Sequence, residues 1–198
     1  TEMGQYNPAR AKALLDIAGY LDRDGDGWRE QPDGRPLTME MLSQSDQASR
    51  QLDELWKKSM DALGLRITLK VAQWPENLKA VRNGKFMLWR VGSSASSPDG
   101  QGSLERAYGP SVGKGNLARF RLAAFDKIYD QLKLVPDGPE RQALFDAATQ
   151  LLVAYAPYRM NVHRIITDLS TAPLIGYRRA PFWLDWWQFV DMDLAVSA

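Results

Sequence analysis

Leu37-Thr38-Met39-Glu40-Met41-Leu42 and, after a gap, Ile67-Thr68-Leu69-Lys70-Val71-Ala72 decide the fold. Leu37, Met39 and Met41 alternate with Thr38, Glu40 and Leu42. Ile67, Leu69 and Val71 alternate with Thr68, Lys70 and Ala72. Period-two alternation predicts a strand in each. The segment between them is helical: Asp46 caps it, Leu52, Leu55, Trp56 and Leu63 form its inner face, and Gly64 ends it. A strand, a helix and a strand over this length predict a βαβ unit with parallel strands and a right-handed crossover.

The pattern continues on both sides. Residues 6–20 predict a helix with Asn7 as cap, Pro8 at the first position, and Ala11, Leu14, Leu15 and Ala18 as its apolar stripe. A polar loop spans 22–36. Beyond the βαβ unit, 75–83 predict a short helix stopped by Gly84. Residues 86–91 are apolar at nearly every position, as a strand covered on both faces would be. A loop of Gly, Ser, Pro, Asp and Gln covers 92–103. Helices are predicted over 122–135 and 139–155, separated by Pro136-Asp137-Gly138-Pro139, and a fourth strand over 158–167. From residue 173 the chain is irregular and aromatic, with Phe182, Trp183, Trp186, Trp187 and Phe189 close together. The whole is α/β, with a mixed, mainly parallel sheet flanked by helices. Ligands of such sheets sit beyond the carboxyl ends of the strands, where the 92–103 loop departs.

Composition excludes several classes of function. The 198 residues carry 25 Lys+Arg and 24 Asp+Glu, a formal charge of +1, which argues against a nucleic-acid partner. Without cysteine there are no disulfides, thiolate metal sites or cysteine nucleophiles. His163 is the single histidine, so a site needing two imidazoles is excluded. No apolar run approaches the roughly 18 residues of a membrane span. The opening Thr1-Glu2-Met3-Gly4 fits a mature product or a piece of a longer protein.

Three constellations could carry chemistry. Asp22, Asp24, Asp26, Trp28, Glu30 and Asp33 fall at positions one, three, five, seven, nine and twelve of a calcium loop. Asp33 stands where a bidentate Glu is usual, and Pro32 and Gly34 break any exiting helix. The alternative is an Asp/Gly turn whose side chains cap their own backbone. Gly109-Pro110-Ser111-Val112-Gly113 matches the G-x-S-x-G pattern of a serine hydrolase, with His163 downstream. The flanking residues supply neither the strand nor the helix that this nucleophile needs, so a Gly/Pro turn is the stronger reading. Gly92-Ser93-Ser94-Ala95-Ser96-Ser97 offers hydroxyls and close backbone approach at the sheet edge.

Several landmarks together resemble the C-terminal half of a family 5 extracellular solute-binding protein, the dipeptide, oligopeptide, nickel and haem group of ABC-importer receptors. They are Tyr6-Asn7-Pro8-Ala9-Arg10-Ala11-Lys12-Ala13-Leu14-Leu15, Ala18-Gly19-Tyr20, Asp24-Gly25-Asp26-Gly27-Trp28 and Pro32-Asp33-Gly34-Arg35-Pro36-Leu37-Thr38. Leu63-Gly64, Gly84-Lys85-Phe86, Phe125-Asp126, Glu140-Arg141, Ala156-Pro157 and Gly176-Tyr177 follow in order. The resemblance implies one lobe of a two-lobed periplasmic-binding-protein type II fold, spanning 1–198, with about 170–198 returning toward an absent first lobe. It implies no catalysis and no required cofactor, with a structural calcium as an optional addition. It also implies a small polar or peptide-like solute, an ABC permease as partner, and a periplasmic or extracellular location, with a lipid anchor as one option for the full-length protein.

Within that resemblance, Trp74, Trp89, Arg90, Ser93, Ser94 and Ser96 are the expected cleft residues, with Asn116 and Arg119 as further candidates. Peptide-binding members resemble Gly-Trp-x-x-Asp-Tyr-Pro-Asp-Pro after the third strand. Here Ser93 replaces the Trp and Ser96 replaces the Asp that pairs with a ligand ammonium. A buried ammonium without a carboxylate is costly, so an ordinary free-amine peptide is not the expected ligand.

Overall fold

The structure is a computed structural model and describes residues 5–95, 98–163, 165–179, 182 and 187–195. The chain forms two compact units, one from residues 1–92 and 112–119, the other from 93–111 and 120–198.

The first unit runs α1 (Pro8–Ile17), β1 (Thr38–Ser43), α2 (Gln47–Asp61), β2 (Arg66–Val71), α3 (Trp74–Arg82) and β3 (Leu88–Trp89). Its sheet has the order β2-β1-β3. Both pairings are parallel, from Thr38 opposite Arg66 to Ser43 opposite Val71, and with Met41 opposite Leu88. The βαβ expectation therefore holds in type, order and strand direction. Caps explain where the helices begin. Asn7 Oδ1 accepts from the Arg10 amide at 2.9 Å, and Asp46 Oδ1 accepts from the Ser49 amide at 2.9 Å.

The packing departs from the hydropathy pattern. The fully buried residues of α2 are Ser49 and Asp53; of the expected inner face Leu52, Trp56 and Leu63 are half-buried, whereas Leu55 is 63% exposed. Of the stripe expected on α1, Ala11 and Leu15 are half-buried and Leu14 and Ala18 exposed. A polar network fixes the facing of α2. Asp53, 3% exposed, accepts from the Ser43 hydroxyl through Oδ2 and from Arg90 Nη2 at 2.7 Å through Oδ1. Arg90 Nη2 also donates to the Ser49 carbonyl at 3.1 Å. One carboxylate thus joins β1, α2 and the residue that follows β3. The third strand is two residues long rather than six, and Met87 and Val91 are exposed. It lies at the sheet edge, and with Leu88 and Trp89 only half-buried and Met87 and Val91 exposed its faces are not covered as predicted.

The second unit contains α4 (Gln101–Leu104), two 3₁₀ turns (Glu105–Ala107 and Gly109–Ser111), α5 (Ala123–Leu132) and α6 (Pro139–Tyr155). A 3₁₀ turn at Trp187–Phe189 and an antiparallel ladder of β4 (Leu174–Ile175) with β5 (Asp191–Met192) follow. Leu104, Ala107, Phe125, Tyr129, Leu132 and Ala148 form the core. The expected strand over 158–167 is absent among the described residues of that stretch, and Ile165 is 95% exposed. An apolar run becomes a strand only where a neighbour satisfies its backbone, and this one has no ladder partner there. Phe182, Trp187 and Phe189 of the aromatic tail are exposed, and Trp183 and Trp186 lie outside the described residues.

Arg141 is the polar centre of this unit. It is 7% exposed and donates to the carbonyls of Leu132 and, at 3.0 Å, Val135. The first is a carbonyl that the end of α5 leaves open, the second lies in the turn just after it. Its Nη2 also reaches Asp99 Oδ2 at 2.5 Å and Gln101 Oε1 at 3.0 Å. The guanidinium lies 5.3 Å from the Phe145 ring centroid. A Cβ at Gly100 would come within 3.1 Å of that ring, so the small residue is what lets the loop close over it.

Two predictions follow from these networks. Asp53→Ala leaves Arg90 without its counter-charge and should cost about 3 kcal/mol, read as a lower unfolding midpoint in denaturant. A loss under about 1 kcal/mol would mean that the network does not fix α2. The second concerns acid. Hydrogen bonding from the Gln101 amide, and then from Arg141, holds the Asp99 carboxyl below its ordinary value of 3.8. A lowered folded value gives stability that is complete above the ordinary value and lost as pH falls through the lowered one. Asp99→Asn should therefore flatten the loss of stability below about pH 4, and an unchanged acid limb would contradict the pairing.

Candidate functional site

The carboxyl ends of β1, β2 and β3 make the edge at which such sheets bind ligands. Asn77, 2% exposed, organises it: Nδ2 donates to the Ser43 carbonyl at 2.7 Å and to the Ala72 carbonyl at 3.3 Å. The Ala72 amide also donates to Ser43 at 3.1 Å. The exits of β1 and β2 are thereby held side by side, and α3 starts from a fixed point. Trp74 is its first residue and Trp89 lies in β3. Their ring centroids are 5.2 Å apart with planes inclined by 36°. Trp74 is 41% exposed, whereas Trp89 is half-buried beside it. The pair offers a rigid aromatic surface at the sheet edge.

The other expected cleft residues have different settings. The charge of Arg90 is taken up by Asp53, so its first role is structural. Asn116 is 0% exposed and lies in a tight turn, its carbonyl accepting from the Gly113 amide at 3.1 Å. A solute cannot reach it without opening that turn. Arg119 adopts φ 56° and its Nη2 donates to the Arg82 carbonyl at 2.9 Å, placing a cation at the C-terminus of α3. Gly84 beneath the Arg119 guanidinium adopts φ 70°, a left-handed conformation that favours glycine. Ser93 accepts from Arg106, Ser94 is exposed, and Ser96 lies outside the described residues. A shallow groove of 410 Å³ runs along α3 past Pro75, Leu78, Lys79, Arg82 and Asn83, and its lining includes neither tryptophan. Asp53, Ser49 and Asn77 went unrecognised in the sequence because polar residues on a helix ordinarily mark its solvated face.

The acidic loop gathers half of its expected ligands. Oxygens of Asp22, Asp24 and Glu30 lie within 4.8 Å of one another. All three also bond the chain. Asp22 accepts from the amides of Gly25 at 2.7 Å and Gly27 at 3.0 Å, Asp24 from Asp26 at 3.1 Å, and Glu30 from Arg23 at 2.7 Å. Asp26 instead caps Trp28 and meets Arg66, and Asp33 pairs with Arg35. The loop therefore has the self-capping turns of the alternative reading.

Ser111 ends a 3₁₀ turn, and its hydroxyl donates to Glu105 Oε1 at 3.0 Å. Neither a strand before it nor an α-helix directly after it makes a nucleophile elbow, and His163 is exposed in a stretch without regular structure. The hydrolase alternative has no support in this geometry.

The relatives agree with this architecture. A di/tripeptide-binding protein of Pseudomonas aeruginosa is 27% identical, covering 89% of this chain and 32% of its own length. Heme-binding protein A of Haemophilus influenzae is 24% identical, with 95% and 33% covered. The oligopeptide-binding protein AppA of Bacillus subtilis, solved with a nonapeptide, superposes with a TM-score of 0.77 at 19% identity, covering 96% of this chain and 38% of that one. The chain thus spans about a third of the length of the two relatives matched by sequence. The signature of the bacterial extracellular solute-binding proteins, family 5 middle region, matches residues 1–115. With that signature over more than half of its length, the chain belongs to the family 5 bacterial extracellular solute-binding proteins.

Proposed function

We propose that this chain is the solute-binding lobe of an ABC-importer receptor. The solute is small and polar or peptide-like, and a first lobe outside this sequence closes over it. The observation that carries the reading is the Trp74–Trp89 pair, set at the carboxyl edge of a parallel sheet in a chain of this family. The serines at 93, 94 and 96 follow β3 in sequence and are neutral hydrogen-bonding residues. Ser96 stands where peptide-binding members resemble an ammonium-pairing Asp, which disfavours free-amine peptides. The full-length receptor acts outside the cytoplasm, periplasmic or extracellular and with a lipid anchor as one option. It hands its solute to a membrane permease and catalyses nothing. Among the described residues no helix is long and apolar enough to cross a membrane.

Purified from its native compartment, the full-length two-lobed protein should carry a small molecule visible by native mass spectrometry and lost on denaturation. An empty protein that also binds no candidate solute would contradict the receptor role. A structural calcium on Asp22, Asp24 and Glu30 is a separate proposal that solute binding does not require. Millimolar calcium should then raise the melting midpoint, and Asp22→Asn should abolish the rise. An unmoved midpoint would remove the ion.

A further inference from the structure

The loops leaving β1 and β2 hold chemistry that the receptor function has not yet used. β1 continues into Gln44-Ser45-Asp46-Gln47, and β2 into Ala72-Gln73-Trp74. The two exits are neighbours because Ser43 accepts from the Ala72 amide at 3.1 Å and Asn77 bridges both carbonyls. Gln44 is half-buried, whereas Ser45, Gln47 and Gln73 are exposed. Among the described residues, none of the three glutamine side-chain amides has a hydrogen-bond partner. The ionic groups at this edge are already engaged. Asp46 caps α2 through Ser49, and Asp53 neutralises Arg90. The exposed charges next along the two helices, Arg50 and Glu76, are of opposite sign.

We infer that this edge selects an uncharged, polyhydroxylated solute, chemically a saccharide; the inference rests on the receptor function proposed above. Each primary amide offers two N–H donors and one carbonyl acceptor, which matches hydroxyls that both donate and accept. The exposed face of Trp74 suits the C–H face of a sugar ring, which is apolar and carries no charge. An ammonium or carboxylate brought to the same edge loses its hydration, and Asp46, Asp53 and Arg90 are already engaged.

The test uses the full-length protein, titrated calorimetrically with a panel of neutral di- to tetrasaccharides and with free-amine tripeptides. At least one saccharide should bind, with an affinity that changes less than about twofold from about 20 mM to about 500 mM salt. Trp74→Ala should weaken it by about tenfold or more with little change in melting midpoint, since the ring is 41% exposed. Gln73→Ala, which alters an exposed side chain, should weaken it independently of any packing change at Trp74. Binding of the tripeptides alone, with salt-sensitive affinity, overturns the saccharide assignment and leaves the receptor function standing. Saccharide binding unaffected by both substitutions moves the site elsewhere and also overturns it. Failure of every probe to bind counts against both.

Discussion

The buried carboxylate of Asp53 is the constraint on which the first unit depends. It accepts from Ser43 at the end of β1 and from Arg90 just beyond β3, while itself belonging to α2. Three elements distant in sequence meet at one charge. A buried charge tolerates little displacement, because each lost partner leaves it uncompensated in a poorly polarisable interior. That intolerance fixes the facing of α2 together with Leu52, Trp56 and Leu63, which are half-buried on the same side, whereas Leu55 points to solvent. With α2 and β3 fixed, Asn77 can bind the ends of β1 and β2 together, and Trp74 and Trp89 are brought to one edge.

The second unit uses the same device with the sign reversed. Arg141 is buried, and its neutralising groups are peptide carbonyls, the Gln101 amide oxygen and two carboxylates, the partly exposed Asp99 and the fully exposed Asp137. The planar guanidinium presents several donors in fixed directions, so one side chain can close the end of α5 and hold the loop before α4. Lysine at that position could not satisfy this set of acceptors. Hydrophobic burial by Phe125, Leu132 and Ala148 supplies the bulk of the cohesion. The arginine determines how the helix ends meet.

The residues that carry the family resemblance prove to be those that shape the backbone. Arg141 of Glu140-Arg141 meets Asp99 in the loop before α4, and Gly84 lies beneath Arg119. Leu63-Gly64 receives Arg29, whose Nε donates to the Leu63 carbonyl at 2.7 Å. Phe125-Asp126 supplies one core ring and one carboxylate, which accepts from the Gly109 amide at 2.7 Å. Gly64 and Gly84 hold positive φ, and Phe125 and Arg141 are buried, so these positions are tied to the backbone and core. They identify the architecture and say little about the solute. Asn116, Arg119 and Arg90 are legible in the sequence as polar residues, but not their directions: each turns to a partner within its own unit.

The sequence by itself determined the βαβ unit, its strand direction, the caps at Asn7 and Asp46 and the full extent of α6, because these depend on local periodicity and on side chains bonding their own neighbours. Tertiary structure alone decided which polar residues are buried, that 86–91 shortens to a two-residue edge strand, and that 158–167 forms no strand among its described residues. Those outcomes rest on partners supplied from far along the chain. A strand exists only where another completes its ladder, and a carboxylate can be buried only where a distant cation and hydroxyl arrive to meet it.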